Sequence, residues 1–263
     1  MSGNQALSPA EIYERDTVPA MFAGWVDPLL DLVDPRAGER LLDVACGTGV
    51  VARAAVARVG ANGKVFGLDM NANMLSVARA VAPAVEYHEG NGMAMPLPDD
   101  AFDVVVCQQG LQFFPDPGVG LREMRRVLRP GGRLGVALWG PMASSPVHLA
   151  LVSSLERHVN AEAARIMSMP FRLDDREALR ALAEGAGFQD VRVEEAQRPA
   201  RFPSAEAFTR AVLGGGTLAR AGIMVTGDAL DAVIADVDRE AAPFVGPEGL
   251  AAPMTSRLVF GRA

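Results

Sequence analysis

An apolar strand that runs without interruption into a glycine turn and a helix constrains this chain more than any other feature. Leu41-Leu42-Asp43-Val44-Ala45-Cys46 has no polar alternation, the pattern of a parallel strand buried on both faces. It ends at Gly47-Thr48-Gly49 and enters the segment Val50-Val51-Ala52. A second apolar run, Val65-Phe66-Gly67-Leu68, then ends in Asp69, twenty residues after Gly49. Glycines at a strand-to-helix turn let backbone approach a ligand, and an acid ending the next strand can hold both hydroxyls of a ribose. The pattern describes an adenosine site.

Gly47 to Ala52 also fits the dinucleotide pattern G-x-G-x-x-G/A, which alone is a weak signal, and a tight turn with no ligand is the plain alternative. Asp43 separates the cofactors. A carboxylate inside the first strand would repel a pyrophosphate and attract the ammonium of an amino-acid-bearing cofactor.

Two further motifs follow in order: Gly90-Asn91-Gly92-Met93-Ala94-Met95-Pro96-Leu97-Pro98-Asp99-Asp100-Ala101-Phe102-Asp103 and Leu128-Arg129-Pro130-Gly131-Gly132. With the Asp43, Gly47, Gly49 and Asp69 set, this order resembles class I S-adenosylmethionine-dependent methyltransferases. The resemblance is to their small-molecule branch, which includes the ubiquinone and menaquinone C-methyltransferases, and it is strong from Arg40 to Leu138. It implies an α/β, Rossmann-like fold: a seven-stranded, mostly parallel sheet with the last strand antiparallel, an N-terminal helical lid and an inserted helical cap. Ala45 stands where the family more often has the first loop glycine. Asn91 stands where many members have an aspartate that contacts the adenine amino group, and its amide oxygen can accept the same hydrogen bond.

Composition narrows the partners. The 263 residues carry a net charge of −7, and Lys64 is the only lysine, so there is no basic patch for DNA or RNA. With 49% hydrophobic residues the chain is globular rather than disordered. No apolar stretch reaches membrane-spanning length, and the polar start Met1-Ser2-Gly3-Asn4-Gln5 does not read as a signal peptide. Cys46 and Cys107 lack metal-ligand spacing and read as reduced thiols of a cytoplasmic protein. The expected partner is a small-molecule acceptor, with neither nucleic acid nor membrane, for a monomer or homodimer.

The chain divides into a lid over 1–38, a cofactor-binding core over 39–140, a substrate-binding cap over 141–174 and 199–250, and completion of the sheet by 175–198 and 251–263. The leader reads as two apolar helical segments, with Pro19 in the first turn of the second and a stripe of Phe22, Trp25, Val26, Leu29 and Val33. Strands are expected near 40–45, 64–69, 85–89, 102–107, 132–138, 191–193 and 255–260, and helices near 49–58, 72–82 and 118–129. The cap holds a helix from Pro146, the Met-rich stretch Ile166 to Phe171, a Gly214-Gly215-Gly216 hinge, and a helix with Leu230, Val233, Ile234 and Val237. Its Met and Phe side chains suit a bulky apolar acceptor or form the cap's own core.

The candidate cofactor-binding set is Tyr13, Asp43, Ala45, Gly47, Thr48, Gly49, Asp69, Met70, Met74, Asn91, Gly92, Met93, Gln108 and Gln109. Asp43 is read as the ammonium receptor or as a loop-organising acceptor. Met70 is placed to stack on adenine, Met74 is cofactor contact or helix core, and Tyr13 would close over the cofactor. Gln108 and Gln109 end the fourth strand where donor and acceptor meet, or cap that strand. Cation-dependent O-methyltransferases need clustered acids there, so no metal is expected. Among the histidines, His88 lies on the third strand, His158 reads as solvated beside Glu156 and Arg157, and His148 is the one candidate general base, with packing as its alternative. The function expected is metal-independent methyl transfer from S-adenosylmethionine to an aromatic, quinone or polyketide-like acceptor. The alternative is a non-methylating use of the fold, such as a cyclisation in natural-product biosynthesis.

Overall fold

The computed structural model describes residues 7–215 and 217–263. The polar start and Gly216 of the expected hinge lie outside the described residues. In chain order the elements are α1 (Pro9–Ile12), a π-helical stretch Tyr13–Phe22, a 3₁₀ turn Ala23–Trp25, α2 (Val26–Val33), β1 (Arg40–Val44), α3 (Val50–Val59), β2 (Lys64–Asp69), α4 (Ala72–Val81), β3 (Glu86–Glu89), β4 (Phe102–Gln108), a 3₁₀ turn Leu111–Phe113, α5 (Pro117–Val127) and β5 (Leu128–Trp139). There follow α6 (Pro146–His158), α7 (Ala161–Ser168), α8 (Arg176–Gly185), β6 (Gln189–Phe202), α9 (Ala205–Gly214), α10 (Thr217–Arg220), α11 (Gly227–Ala241), β7 (Val245–Gly246) and β8 (Gly249–Arg262). These fall into two compact units. One takes 23–144, 169–198 and 254–263; the other takes the described residues up to Phe22 with 145–168 and 199–253.

The sheet runs in the order β3-β2-β1-β4-β5-β8-β6. Neighbours from β3 to β5 are parallel, and β8 is antiparallel to β5. The strand count is eight rather than seven among the described residues, because β7 adds a two-residue pairing of Val245 with Leu250 and Gly246 with Gly249. Gly249 has φ +96°, and a Cβ there would lie 2.5 Å from the Phe202 carbonyl oxygen, so this return needs glycine. β5 starts at Leu128, earlier than the expected 132, with the register slipping between Phe102↔Leu128 and Val104↔Arg133. The Arg129–Gly132 stretch bulges there, with Gly131 at φ +79°.

Successive strand residues feed opposite faces. Leu42, Val105, Leu134 and Val136 join Leu121, Met124 and Leu179 of α5 and α8 in one core. Leu41, Val104, Val106 and Ala137 join residues of α2, α3 and α4 in the other. Both faces are covered, which is why β1 and β4 read as continuous apolar runs. The expected lid boundary at 38 is corrected: Ala23–Val33 belongs to the sheet unit. Leu29, Leu30 and Val33 are fully buried, and Gly135 on β5 leaves their seat open, since a Cβ there would lie 2.5 Å from Val33 Cγ1. Trp25 packs edge-on against Trp139 at 5.9 Å. Pro19 is not in a helix's first turn but inside the π-helical stretch; with no N–H to donate, it leaves a gap in that stretch's i→i−5 ladder.

In the other unit α6 and α11 bury Leu151, Leu155, Val233 and Val237. Pro146 occupies the first turn of α6, as the sequence suggests. His158 is not simply solvated. Its Nε2 lies 2.9 Å from Asp236 Oδ2, and the same carboxylate accepts from Ser154 Oγ at 2.9 Å, Arg157 Nη2 at 2.5 Å and Arg239 Nη2 at 2.8 Å. These donors, Arg157 foremost, hold the Asp236 carboxyl well below the usual carboxylate range. Among the described residues, no helix is long and apolar enough to cross a membrane.

Candidate functional site

The turn after β1 is built by backbone that only small residues adopt comfortably. Ala45, Gly47 and Gly49 have φ of 57°, 55° and 82°. Gly49 caps the start of α3, and a Cβ on it would lie 2.3 Å from the Tyr87 hydroxyl. Ala45 bears the one side chain among these left-handed positions, a conformation that costs an L-residue about 1–2 kcal/mol. Gly110 faces it: a Cβ on Gly110 would lie 2.6 Å from that of Ala45.

Two carboxylates brace the turn. Asp43, 1% exposed, accepts the Ala52 amide at 3.0 Å and so ties β1 to the first turn of α3. Burial pushes its carboxyl up to about 8, with the Asp69 charge adding to the rise. Asp69 accepts the Gly47 amide on Oδ2 and the Asn71 amide on Oδ1, each at 2.8 Å. Both acids therefore organise the loop, and carboxylate oxygens keep lone pairs for further donors. Thr48 Oγ1 is buried with no hydrogen-bond partner among the described residues.

Met70 is 75% exposed directly after Asp69, while Met74 is half-buried in the first turn of α4. Asn91 Oδ1 accepts the Met93 amide at 2.9 Å, which orients the side chain and curls Asn91-Gly92-Met93 into a turn. Gly92 and Gly120 both make room for the Phe114 ring, each lying where a Cβ would come within 2.4 Å of it. Arg126 holds the loop that follows, donating to the carbonyls of Met95 and Leu97 and pairing with Asp99 and Glu123.

At the end of β4, Gln108 and Gln109 are buried, Gln109 with φ 54°. Gln109 donates to Ser256 Oγ at 3.3 Å and accepts from Gln112 Nε2 at 3.2 Å. Cys46 and Cys107 are free and buried, and burial pushes the Cys107 thiol up to about 12, far from reactive. Among the described residues no three His, Cys, Asp or Glu side chains gather to hold a metal ion.

Tyr13 and His148 belong to the other unit. Tyr13 sits in the π-helical stretch with its ring 5.5 Å from that of Phe22. His148 is buried in α6, edge-on to Phe208 at 5.2 Å, and burial pushes it down to about 4. A neutral imidazole of that basicity packs well and draws a proton weakly.

The sequence profile of the ubiE/COQ5 methyltransferase family matches residues 20–150. A ubiquinone/menaquinone biosynthesis C-methyltransferase of Hahella chejuensis is 36% identical over 180 residues, 62% of this chain and 72% of that protein. The chain belongs to the ubiE/COQ5 methyltransferase family. It is an S-adenosylmethionine-dependent methyltransferase. A demethylmenaquinone methyltransferase of Lysinibacillus sphaericus is 40% identical over 115 residues, 43% of this chain and about half of that protein at 49%. The solved YcgJ protein of Bacillus subtilis shares the fold with a TM-score of 0.62 at 19% identity, covering 91% of this chain and 97% of that one. The sequence missed Tyr87 behind Gly49 and Gly67 and Phe114 between Gly92 and Gly120, which act through packing, and Gln112, buried and hydrogen-bonded to Gln109. The one signal that could have found such a contact is Gly67, a glycine inside an apolar strand, where a Cβ would lie 2.6 Å from the Tyr87 ring.

Proposed function

We propose that this methyltransferase alkylates a ring carbon of a reduced quinone, a hydroquinone of the naphthalene or benzene type, with the cofactor held by the β1–α3 turn. The 36% identity over 180 residues to a quinone C-methyltransferase, beside the family profile's match to residues 20–150, is the observation that carries the acceptor class. The residues fit the cofactor: a buried Asp43 whose carboxyl lies near 8 is suited to gain an ammonium partner, and Asp69 ends β2 against the turn, tied to it through the Gly47 amide, where an acid can hold two ribose hydroxyls. In this reading Met70 stacks on adenine and the second lone pair of Asn91 Oδ1 takes the adenine amino group. Thr48 Oγ1 and the amides of the Gly47–Gly49 turn contact the methionyl portion, and Gln108 and Gln109 border the methyl.

When bound, the cofactor supplies an electrophilic methyl on a sulfonium. The ring carbon ortho to a hydroxyl forms the new bond as the methyl–sulfur bond breaks, its electron pair staying on sulfur. The ring then loses its proton to solvent and regains aromaticity. The protein's share is alignment of the reacting atoms, which needs neither a metal nor a strong base. His148 is assigned to packing. The named relatives are methyltransferases, which favours methylation over a cyclisation in natural-product biosynthesis.

The test is incubation of the full chain with S-adenosylmethionine bearing a trideuterated methyl and 1,4-dihydroxynaphthalene kept reduced by dithionite. The expected product is the 2-methyl hydroquinone, with the label on the ring carbon by mass spectrometry and NMR. An O-methyl ether, or no product beside a functioning reference quinone methyltransferase, would overturn the acceptor assignment.

A further inference from the structure

We propose that Gln112 is the residue that recognises the acceptor, its side-chain carbonyl accepting a hydrogen bond from a hydroxyl of the ring that is methylated. The proposal rests on the hydroquinone reading above and adds the contact that orients it. Gln112 lies in the 3₁₀ turn directly after β4, fully buried, and its Oε1 has no partner among the described residues. A buried amide carbonyl left without a donor is unfavourable, so one in a native interior asks for a ligand or a water.

The identity of the free atom follows from a chain of bonds that can run only one way. The Leu138 carbonyl is an acceptor, so the single Ser256 hydroxyl proton goes to it, at 2.8 Å. Ser256 Oγ must then accept, and the Gln109 amide nitrogen donates to it at 3.3 Å. That turns Gln109 Oε1 toward Gln112, whose amide nitrogen donates to it at 3.2 Å. The carbonyl of Gln112 is what remains, and its orientation is fixed from behind by a main-chain carbonyl two residues removed along the relay. Arg172 fixes the backbone, donating from Nε to the Gln112 carbonyl at 2.7 Å and from Nη2 to that of Phe114.

The position suits the task. Gln109-Gly110 abuts the cofactor turn, since the Gly110 backbone comes so close to Ala45 that it has no room for a Cβ. β4 also pairs directly with β1 and β5. A neutral acceptor on the ring hydroxyl draws electron density toward the ortho carbon and fixes which carbon faces the methyl, without itself titrating. Gln109 and Ser256 are positioning residues: they aim Gln112.

Calorimetry tests this on the full chain saturated with S-adenosylhomocysteine under anaerobic conditions. 1,4-Dihydroxynaphthalene and 1,4-dimethoxynaphthalene are titrated in turn. The wild-type protein should prefer the diol by about tenfold or more, because a site built to bond a hydroxyl rejects an analogue that lacks one. Gln112→Met, of matched length, should bind the two within about twofold of each other. Retained preference in Gln112→Met, or no preference in the wild type, overturns the contact and leaves the hydroquinone reading standing. Binding of neither compound by the wild type overturns that reading and the contact with it. Should Gln112→Met fail to bind S-adenosylhomocysteine, Ser256→Ala decides instead. Freeing Gln109 to turn should cut the preference by about threefold or more, and an unchanged preference overturns the proposal.

Discussion

Asp43 sits with its carboxyl near 8 where an unfolded carboxyl titrates near 3.8, so the folded apoprotein holds a proton that the unfolded chain has released. Stability from this group is full below about pH 4 and is lost as pH rises toward about 8. His148 acts in the opposite sense. Burial lowers it from 6.5 to about 4, so its contribution is present above about pH 6.5 and is lost as pH falls toward about 4. The two offset one another at acid pH, and above about pH 6.5 Asp43 acts alone. Urea midpoints of the apoprotein should therefore fall between about pH 6.5 and 8, and Asp43→Asn should remove that fall while weakening S-adenosylhomocysteine binding at least tenfold, by roughly 1.4 kcal/mol or more. A variant with the wild-type slope would show that Asp43 is ionised in the apoprotein. Both acids were legible in the sequence because a charge inside or closing an apolar run has few places to go. Their bonds to the Gly47, Ala52 and Asn71 amides were not, because loop curvature decides them. Gln112 was invisible, since no periodicity marks a buried amide.

At the scale of elements, α2 is part of the sheet's packing and not a cover. Leu29 is fully buried and Gly135 lies across from it on β5. Leu29→Ala should lower stability by about 2–4 kcal/mol in urea titration, and Gly135→Ala, which thrusts a Cβ at Val33, by about 1–3 kcal/mol. Changes under about 0.5 kcal/mol in both would detach α2 from the core. The apolar stripe of α2 was plain in the sequence, but its seat is an absence, the missing side chain of Gly135 far along the chain. β1, β2 and β4 were legible because both of their faces are buried and their runs are mostly apolar with no polar alternation. β7 was not, for two residues carry no pattern, and the early start of β5 was masked by Pro130-Gly131-Gly132, which reads as loop.

At the scale of the whole chain, acidic composition and a single lysine argue for a small-molecule acceptor, and the ordered motifs argue for S-adenosylmethionine as donor. With Cys107-Gln108-Gln109 at the end of β4 in place of an acid cluster, methyl transfer should proceed undiminished in excess EDTA and gain nothing from added magnesium. Loss in EDTA with recovery on magnesium would require a metal in the mechanism. The central claim, that the turn after β1 and the acid ending β2 hold the methyl donor, is reached most directly by titrating S-adenosylhomocysteine and NAD into the full chain and into Asp69→Ala. The account predicts one S-adenosylhomocysteine site per chain, no competing NAD binding, and affinity at least about tenfold weaker in the variant with its fold unchanged, as expected for lost charge-assisted hydrogen bonds to ribose. Equal affinity in Asp69→Ala, or preferential binding of NAD, would contradict it.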